Sequence, residues 1–233
     1  MCGRYGRRAD KQRIAEWMQT HNTSVFNDDD SVLAPSYNIA PQTMQPVVRL
    51  ARETHHRELT AMRWGLVPYW SKDAKVGFST INAKAETITT SPVFRDAFKR
   101  RRCLVPADLF YEWRKIDAKT KQPYAIAMND GSIFAFAGLW DRWKDRAKGE
   151  VLETYTIITT DPNELMTYLS IHDRMPVILR PSDYGRWLDP GDPDRLPVDL
   201  LRPFDADFMR AWKVGSDVGN VKNDRPDLCE PLT

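Results

Sequence analysis

The stretch Cys103-Leu104-Val105-Pro106-Ala107-Asp108-Leu109-Phe110-Tyr111-Glu112-Trp113-Arg114 decides the fold class. Two short runs rich in β-branched and aromatic residues, 103–105 and 109–114, flank a turn-forming segment, as two adjoining strands do. The same composition recurs downstream at 124–128, 133–140 and 154–159, and upstream at 46–51 and 58–64. A last strand is expected at 208–214, before a short polar tail at about 224–233. Helices punctuate these strands without the regular alternation of a βαβ fold. Asp10 caps a predicted helix whose Ile14, Trp17, Met18 and His21 share one face. Ser91 and Pro92 open a second, with Phe94, Ala97 and Phe98 inward. Asp161-Pro162-Asn163-Glu164 reads as a third start with Asp161 as cap, and 181–188 as a further short helix. No linker, composition break or repeat divides residues 1–233. The expected fold is a single α+β domain: mostly antiparallel, twisted sheets forming a barrel-like core, with flanking helices.

Composition narrows the function. Hydrophobic residues make up 42% of the 233 and charged residues 28%, the balance of a folded soluble protein. Lys and Arg number 34 against 32 Asp and Glu, so the net charge is +2. A uniformly basic coat is excluded, and nucleic-acid affinity would have to come from a local patch. No apolar run approaches the ~18–20 residues that cross a bilayer. No apolar stretch follows the basic N-terminus, so no secretory signal is read there. Three widely spaced cysteines (Cys2, Cys103, Cys229) fit neither a disulfide framework nor a zinc site, and point to a reducing cytoplasm. No Walker loop, dinucleotide fingerprint, HExxH or GxSxG occurs, so neither a metal nor a nucleotide cofactor is expected.

Cys2 is the most informative residue. Removal of Met1 would leave an N-terminal cysteine, with an amine of pKa ~7.7–8.0 beside a thiol of pKa ~8.5. Such a 1,2-aminothiol has two uses. The thiolate can attack an acyl carbon with the amine as base, or amine and thiol can together capture an aldehyde as a thiazolidine. Arg4, Arg7 and Arg8 are expected to lower the thiol pKa and attract anions. Against this stands the plain possibility that a cysteine at position two is chance. Glu112, flanked by aromatics on a predicted strand, should lose hydration and rise in pKa toward proton-transfer range, unless it simply faces outward. His172 lies in Ser170-Ile171-His172-Asp173-Arg174-Met175-Pro176, a polar segment at an element end that can project into a cleft. Asn82 and Lys84 alternate with small residues in Thr80-Ile81-Asn82-Ala83-Lys84-Ala85-Glu86. Trp64-Gly65-Leu66-Val67-Pro68-Tyr69-Trp70 offers rings either for the core or for base stacking. Lys99-Arg100-Arg101-Arg102 suits either phosphates or a helix C-terminus.

Together these segments resemble the SRAP family, the SOS response-associated peptidases that shield abasic sites in DNA. The resemblance runs through Met1–Tyr5, Tyr37-Asn38-Ile39-Ala40-Pro41, residues 64–70, Ile81–Glu86, Cys103–Trp113, Ile171–Pro176 and Gly219-Asn220-Val221-Lys222-Asn223. It implies that Met1 is removed and that Cys2 bonds covalently to the ring-opened aldehyde of an abasic sugar in single-stranded DNA. It also implies Asn82, Glu112 and His172 as catalytic partners, and Arg4, Asn38, Pro41, Trp70, Lys84 and Arg174 along the DNA path. Lys84 stands where members often carry arginine, and so would grip a phosphate as a point charge. The expected protein is a monomeric, DNA-associated cytoplasmic one that removes its own Met1 and has a latent lyase capacity. The competing readings are an N-terminal-nucleophile cysteine amidohydrolase, a general peptidase, and a non-covalent single-strand-binding module.

Overall fold

The computed structural model describes residues 2–20, 30–192 and 195–232. Its strands are β1 (Tyr5–Arg7), β2 (Ser36–Ile39), β3 (Met44–Leu50), β4 (Arg57–Trp64), β5 (Asn82–Lys84), β6 (Arg102–Ala107) and β7 (Leu109–Lys115). There follow β8 (Lys121–Met128), β9 (Phe134–Lys144), β10 (Val151–Thr160), β11 (Met175–Pro176), β12 (Ile178–Leu179) and β13 (Met209–Lys213). The helices are α1 (Lys11–Met18), α2 (Arg95–Arg100), α3 (Glu164–Tyr168) and α4 (Tyr184–Leu188).

Five strands close on themselves in the order β10-β4-β3-β6-β9, because β9 pairs back onto β10. This is the barrel-like core that the strand-rich middle of the chain predicts. Alternate residues of its strands enter two different apolar clusters. Val47, Cys103, Val105, Phe136 and Ile157 pack on one side, and Val48, Leu104, Ala135, Ala137 and Ile158 on the other. Both faces are dry, which is why these strands read as nearly continuous apolar runs. The second cluster is completed by Phe98 of α2 and Trp187 of α4.

Two departures from antiparallel pairing shape the site. β4 runs parallel to the first half of β10 (Tyr155 opposite Trp64), and β5 runs parallel to its second half (Ile157 opposite Asn82). The chain therefore leaves β10 at Gly65 and returns at Asn82, and the excursion between carries the aromatic loop. Gly65 adopts φ +124°, and a Cβ there would meet the Gly77 carbonyl at 2.3 Å, so only glycine lets the loop turn back on itself.

A five-stranded sheet, β13-β8-β7-β1-β2, packs against the ring. β1 lies between β7 (Tyr5 opposite Phe110) and β2 (Tyr5 opposite Ile39). The Tyr111 N–H donates to the Arg4 carbonyl at 3.0 Å, so the antiparallel register draws the start of the chain along β7 toward Glu112.

Several boundaries shift for local reasons. Asp10 caps α1 by accepting from the Arg13 N–H at 2.9 Å, and Ile14 and Met18 are buried, but Trp17 stays 42% exposed. His21 lies outside the described residues. α2 starts at Arg95 rather than after Ser91, because residues 91–94 form a turn with Ser91 accepting from Phe94 and Arg95. Asn163, not Asp161, caps α3: its Oδ1 accepts from Met166 N–H at 3.0 Å while its amide donates to the Phe204 carbonyl. The segment after residue 224 is tied down. Asp224 accepts from the Ser36 hydroxyl, Cys229 contacts the Tyr111 hydroxyl at 3.1 Å, and Leu228 and Cys229 are buried. The three cysteines are free thiols, all of them buried.

Candidate active site

Cys2 sits at the head of β1 with no solvent exposure, in the apolar cluster that includes Tyr5, Trp64, Phe110 and Tyr155. Beneath it the Tyr5 and Tyr155 hydroxyls share a hydrogen bond of 2.8 Å. Burial drives the thiol pKa far above its ordinary value, and the charge of Glu112 pushes the same way. The amino terminus and the Arg4 backbone N–H oppose this rise.

This corrects the expected effect of the neighbouring arginines. The guanidinium groups of Arg4 and Arg7 are committed elsewhere, and Arg8 is exposed. Arg7 is buried and donates to the carbonyls of Ala9, Val32, Leu33 and Ala34 at 2.8–3.1 Å. Arg4 donates to Asn38 Oδ1 at 3.0 Å and to the carbonyls of Val218 and Gly219. Both tie separate segments together, and neither activates the thiol.

Glu112 lies on β7 opposite Tyr124, with 2% of its surface exposed. Loss of hydration raises its pKa to about 7, and the nearby Asp173 charge adds to the rise. The amino terminus and the Trp113 N–H pull it partly back. A carboxyl in this range exists in both protonation states near neutrality, which is what proton shuttling requires.

His172 follows α3 on a loop anchored by the buried Ile171, a member of the Cys2 cluster. Its Nδ1 accepts from the Arg174 N–H at 3.0 Å, an arrangement that belongs to the neutral ring with its proton on Nε2. Burial and the positive amino terminus lower its pKa, in keeping with that form. Nδ1 also lies 2.8 Å from Asp173 Oδ1, a contact that is attractive whenever Nδ1 carries a proton, in the other neutral tautomer as well as in the charged ring.

Asn82 begins β5. Its amide reaches the Ile157 carbonyl at 3.4 Å, while its buried Oδ1 accepts nothing from the described residues. The adjacent Ile81 packs against the Cys2 cluster. The fold thus couples Cys2 to Glu112 electrostatically, and Glu112 to Asp173 beside His172. It sets Asn82, with an acceptor to spare, against the same apolar floor.

The residues expected along a DNA path divide into two kinds. Lys84 is exposed on the same face of β5 as Asn82. Trp70 and Tyr69 are 47% and 55% exposed, whereas Trp64, from the same motif, is core. Pro41 and Asn38 border a groove of about 610 Å³. Asn38 itself is buried, and its amide donates to the carbonyls of Val218, Asn220 and Asn223 at 2.8–3.2 Å. Arg174 is held by Glu86, by Asp161 and by the Thr159 carbonyl. The polar groups of Asn38, Arg4 and Arg174 thus hold separate segments of the fold together. Sequence reasoning missed Phe78, which is 68% exposed at the end of the turn before Asn82, and the Tyr5–Tyr155 hydroxyl pair. A lone phenylalanine among polar residues carries no periodic signal, and the two tyrosines are far apart in the chain.

The sequence model of the SOS response associated peptidase (SRAP) family matches residues 1–221. The chain belongs to the SRAP family. Among SRAP relatives, abasic site processing protein YoqW of Bacillus subtilis is 44% identical over 236 residues, covering 99% of both chains. Abasic site processing protein HMCES of Xenopus tropicalis is 32% identical, over 96% of this chain and 72% of its own. The SRAP fold is shared with a crystal structure of a Bacteroides thetaiotaomicron protein, at TM-score 0.87 and 30% identity over the whole of both chains. Among the described residues no three metal-binding side chains come together, and no helix is long and apolar enough to cross a membrane.

Proposed function

We propose that this SRAP member processes abasic sites in single-stranded DNA by forming a covalent thiazolidine through Cys2 after loss of Met1. The observation that carries the reading is the coupling of a fully buried Cys2 to a carboxyl, Glu112, whose pKa is about 7. Relatives named abasic site processing proteins support it.

An abasic deoxyribose is mostly a closed hemiacetal. Glu112, with His172 at the sugar oxygen, opens the ring to its aldehyde. The Cys2 amine, held by the free Asn82 Oδ1, adds to the aldehyde carbon and gives a carbinolamine. Protonated Glu112 then donates a proton to the departing hydroxyl, which leaves as water and yields an iminium. The thiol adds to that carbon, and its proton passes to the carboxylate. As sulfur's electron pair forms the C–S bond, the C=N π electrons return to nitrogen, which ends as a neutral secondary amine. The sum is aldehyde plus aminothiol giving thiazolidine plus one water.

A thiol with a raised pKa is poor at opening the reaction as a thiolate. The order of amine first and sulfur second follows, since a positive iminium beside the sulfur favours loss of its proton. The same fact disfavours an amidohydrolase or general peptidase, which needs the sulfur to attack first. Peptidase chemistry is limited to removal of Met1, and ring closure suppresses β-elimination from the imine. Lys84, Tyr69 and Trp70 supply a basic and stacking rim for the strand.

The test mixes processed protein with an abasic oligonucleotide and resolves the products under denaturing conditions. A stable adduct is expected, with a mass equal to the two partners minus one water, and it should be absent for Cys2→Ala. An equal adduct from protein that retains Met1 would overturn the proposal.

A further inference from the structure

We infer that a groove between the β3–β4 turn, the end of α2 and the segment after α4 binds backbone phosphates of the DNA beyond the lesion. The inference rests on the DNA-processing reading and extends it to a second contact. The groove has a volume of about 290 Å³, and its walls carry Arg52, His55, Arg100, Arg101 and Arg102 over the edge of Trp140. Among the described residues no carboxylate side chain lines it.

The four arginines are not equivalent. Arg102 is buried and donates to the carbonyls of Phe98, Lys99, Trp187 and Asp189, so it closes the ends of α2 and α4. Arg101 pairs with Asp141 at 3.2 Å. Arg52 and Arg100 are exposed and have no carboxylate partner among the described residues. A helix dipole accounts for Arg100 in the last turn of α2. It does not account for Arg52 and His55, which reach the same groove from a different part of the chain. Unpaired cations converging from separate elements repel one another unless an anion lies between them.

The groove joins the aromatic rim through one ion pair. The Arg101 guanidinium lies 5.8 Å from the Tyr69 ring centroid, and Asp141, its partner, accepts from the Tyr69 N–H at 3.1 Å. A strand leaving Tyr69 and Trp70 passes over Arg101 into the groove. The cavity is smaller than the usual ~300–1,000 Å³ of a small-molecule site, and its Trp140 ring is covered, so it suits phosphodiester rather than bases.

Binding is measured against salt concentration for two oligonucleotides carrying an unreactive abasic analogue. One is confined to the lesion and its immediate neighbours, and the other has long flanks. Arg52→Gln/Arg100→Gln should weaken the long-flanked complex about tenfold at low salt. It should also flatten the slope of log affinity against log salt by about 1.4, two contacts at ~0.7 each. Affinity for the short oligonucleotide and adduct yield at saturating protein should not change. Arg210→Gln/Lys213→Gln, on the β13 edge, removes the same charge and should leave the slope alone. An unchanged slope in the groove variant, equal losses on both oligonucleotides, or an equal loss in the β13 variant would each overturn the groove while the Cys2 adduct persists. Loss of the adduct and of DNA binding in the parent protein would instead sink the DNA reading, and the groove with it.

Discussion

Cys2 and Cys103 are equally inaccessible, and burial is the leading cause that pushes both thiols far above their ordinary pKa. Their surroundings nevertheless differ in kind. Cys103 lies within the barrel wall on β6, where its sulfur would meet a Cβ at Gly138 at 2.9 Å, and the Arg49 charge only partly offsets the effect of its burial. Arg49 is itself occupied by Glu58 and Glu153. Cys2 stands at a strand end beside Glu112, whose own pKa sits at about 7. Burial alone therefore silences a thiol. What separates the two environments is a neighbouring carboxyl able to take and return a proton near neutrality.

The sharpest way to break this comparison is to delete each sulfur in turn. Cys2→Ala should abolish the DNA adduct in a denaturing gel. Cys103→Ala should keep the adduct and lose about 1–2 kcal/mol of stability in denaturant melts, the cost of a small cavity in a dry wall. Loss of adduct in the Cys103 variant at intact stability would erase the distinction.

Glu112→Gln tests the proton shuttle. Adduct formation should slow by about 10²–10⁴-fold, the usual share of general acid–base catalysis, and the inflection near pH 7 should vanish from its rate profile. Parental kinetics would remove Glu112 from the chemistry.

The same substitution should act oppositely on stability. The folded state raises the Glu112 pKa from 4.5 to about 7, so it binds that proton more tightly than the unfolded chain does. Stability is then lost as pH rises from about 4.5 to about 7, and the loss stays constant above. The loss approaches about 3 kcal/mol at ~1.4 kcal/mol per unit. Glu112→Gln should be more stable than the parent at pH 8 and should flatten thermal melts between pH 5 and 8. A parallel pH dependence in both proteins would show that Glu112 does not carry this term.

The smallest effect is expected at His172. His172→Gln should slow adduct formation about tenfold. It should also remove an acid limb lying below the ordinary histidine pKa, since burial lowers that of His172. A retained limb would assign the titration to another group.

The long strands were legible because both of their faces are buried, and apolar, β-branched residues accumulate wherever that holds. β1, β2 and β5 were not, since segments of three or four residues take their extended form from the strands beside them rather than from their own pattern. Choosing Asn163 over Asp161 as the cap of α3 likewise depended on which side chain the Phe204 carbonyl could hold.

Within the site, the raised carboxyl of Glu112 was readable from the aromatic residues on either side, and the proposal for Cys2 starts from its position in the chain. The roles of the arginines were not. A sequence shows that Arg4, Arg7 and Arg102 carry charge, but not that their guanidinium groups turn toward backbone carbonyls. Identity and order along the chain determined which functional groups exist and which strands can form. Only the closed fold decided their hydration and partners, because the direction of a long side chain and the loss of water around it depend on segments distant in sequence.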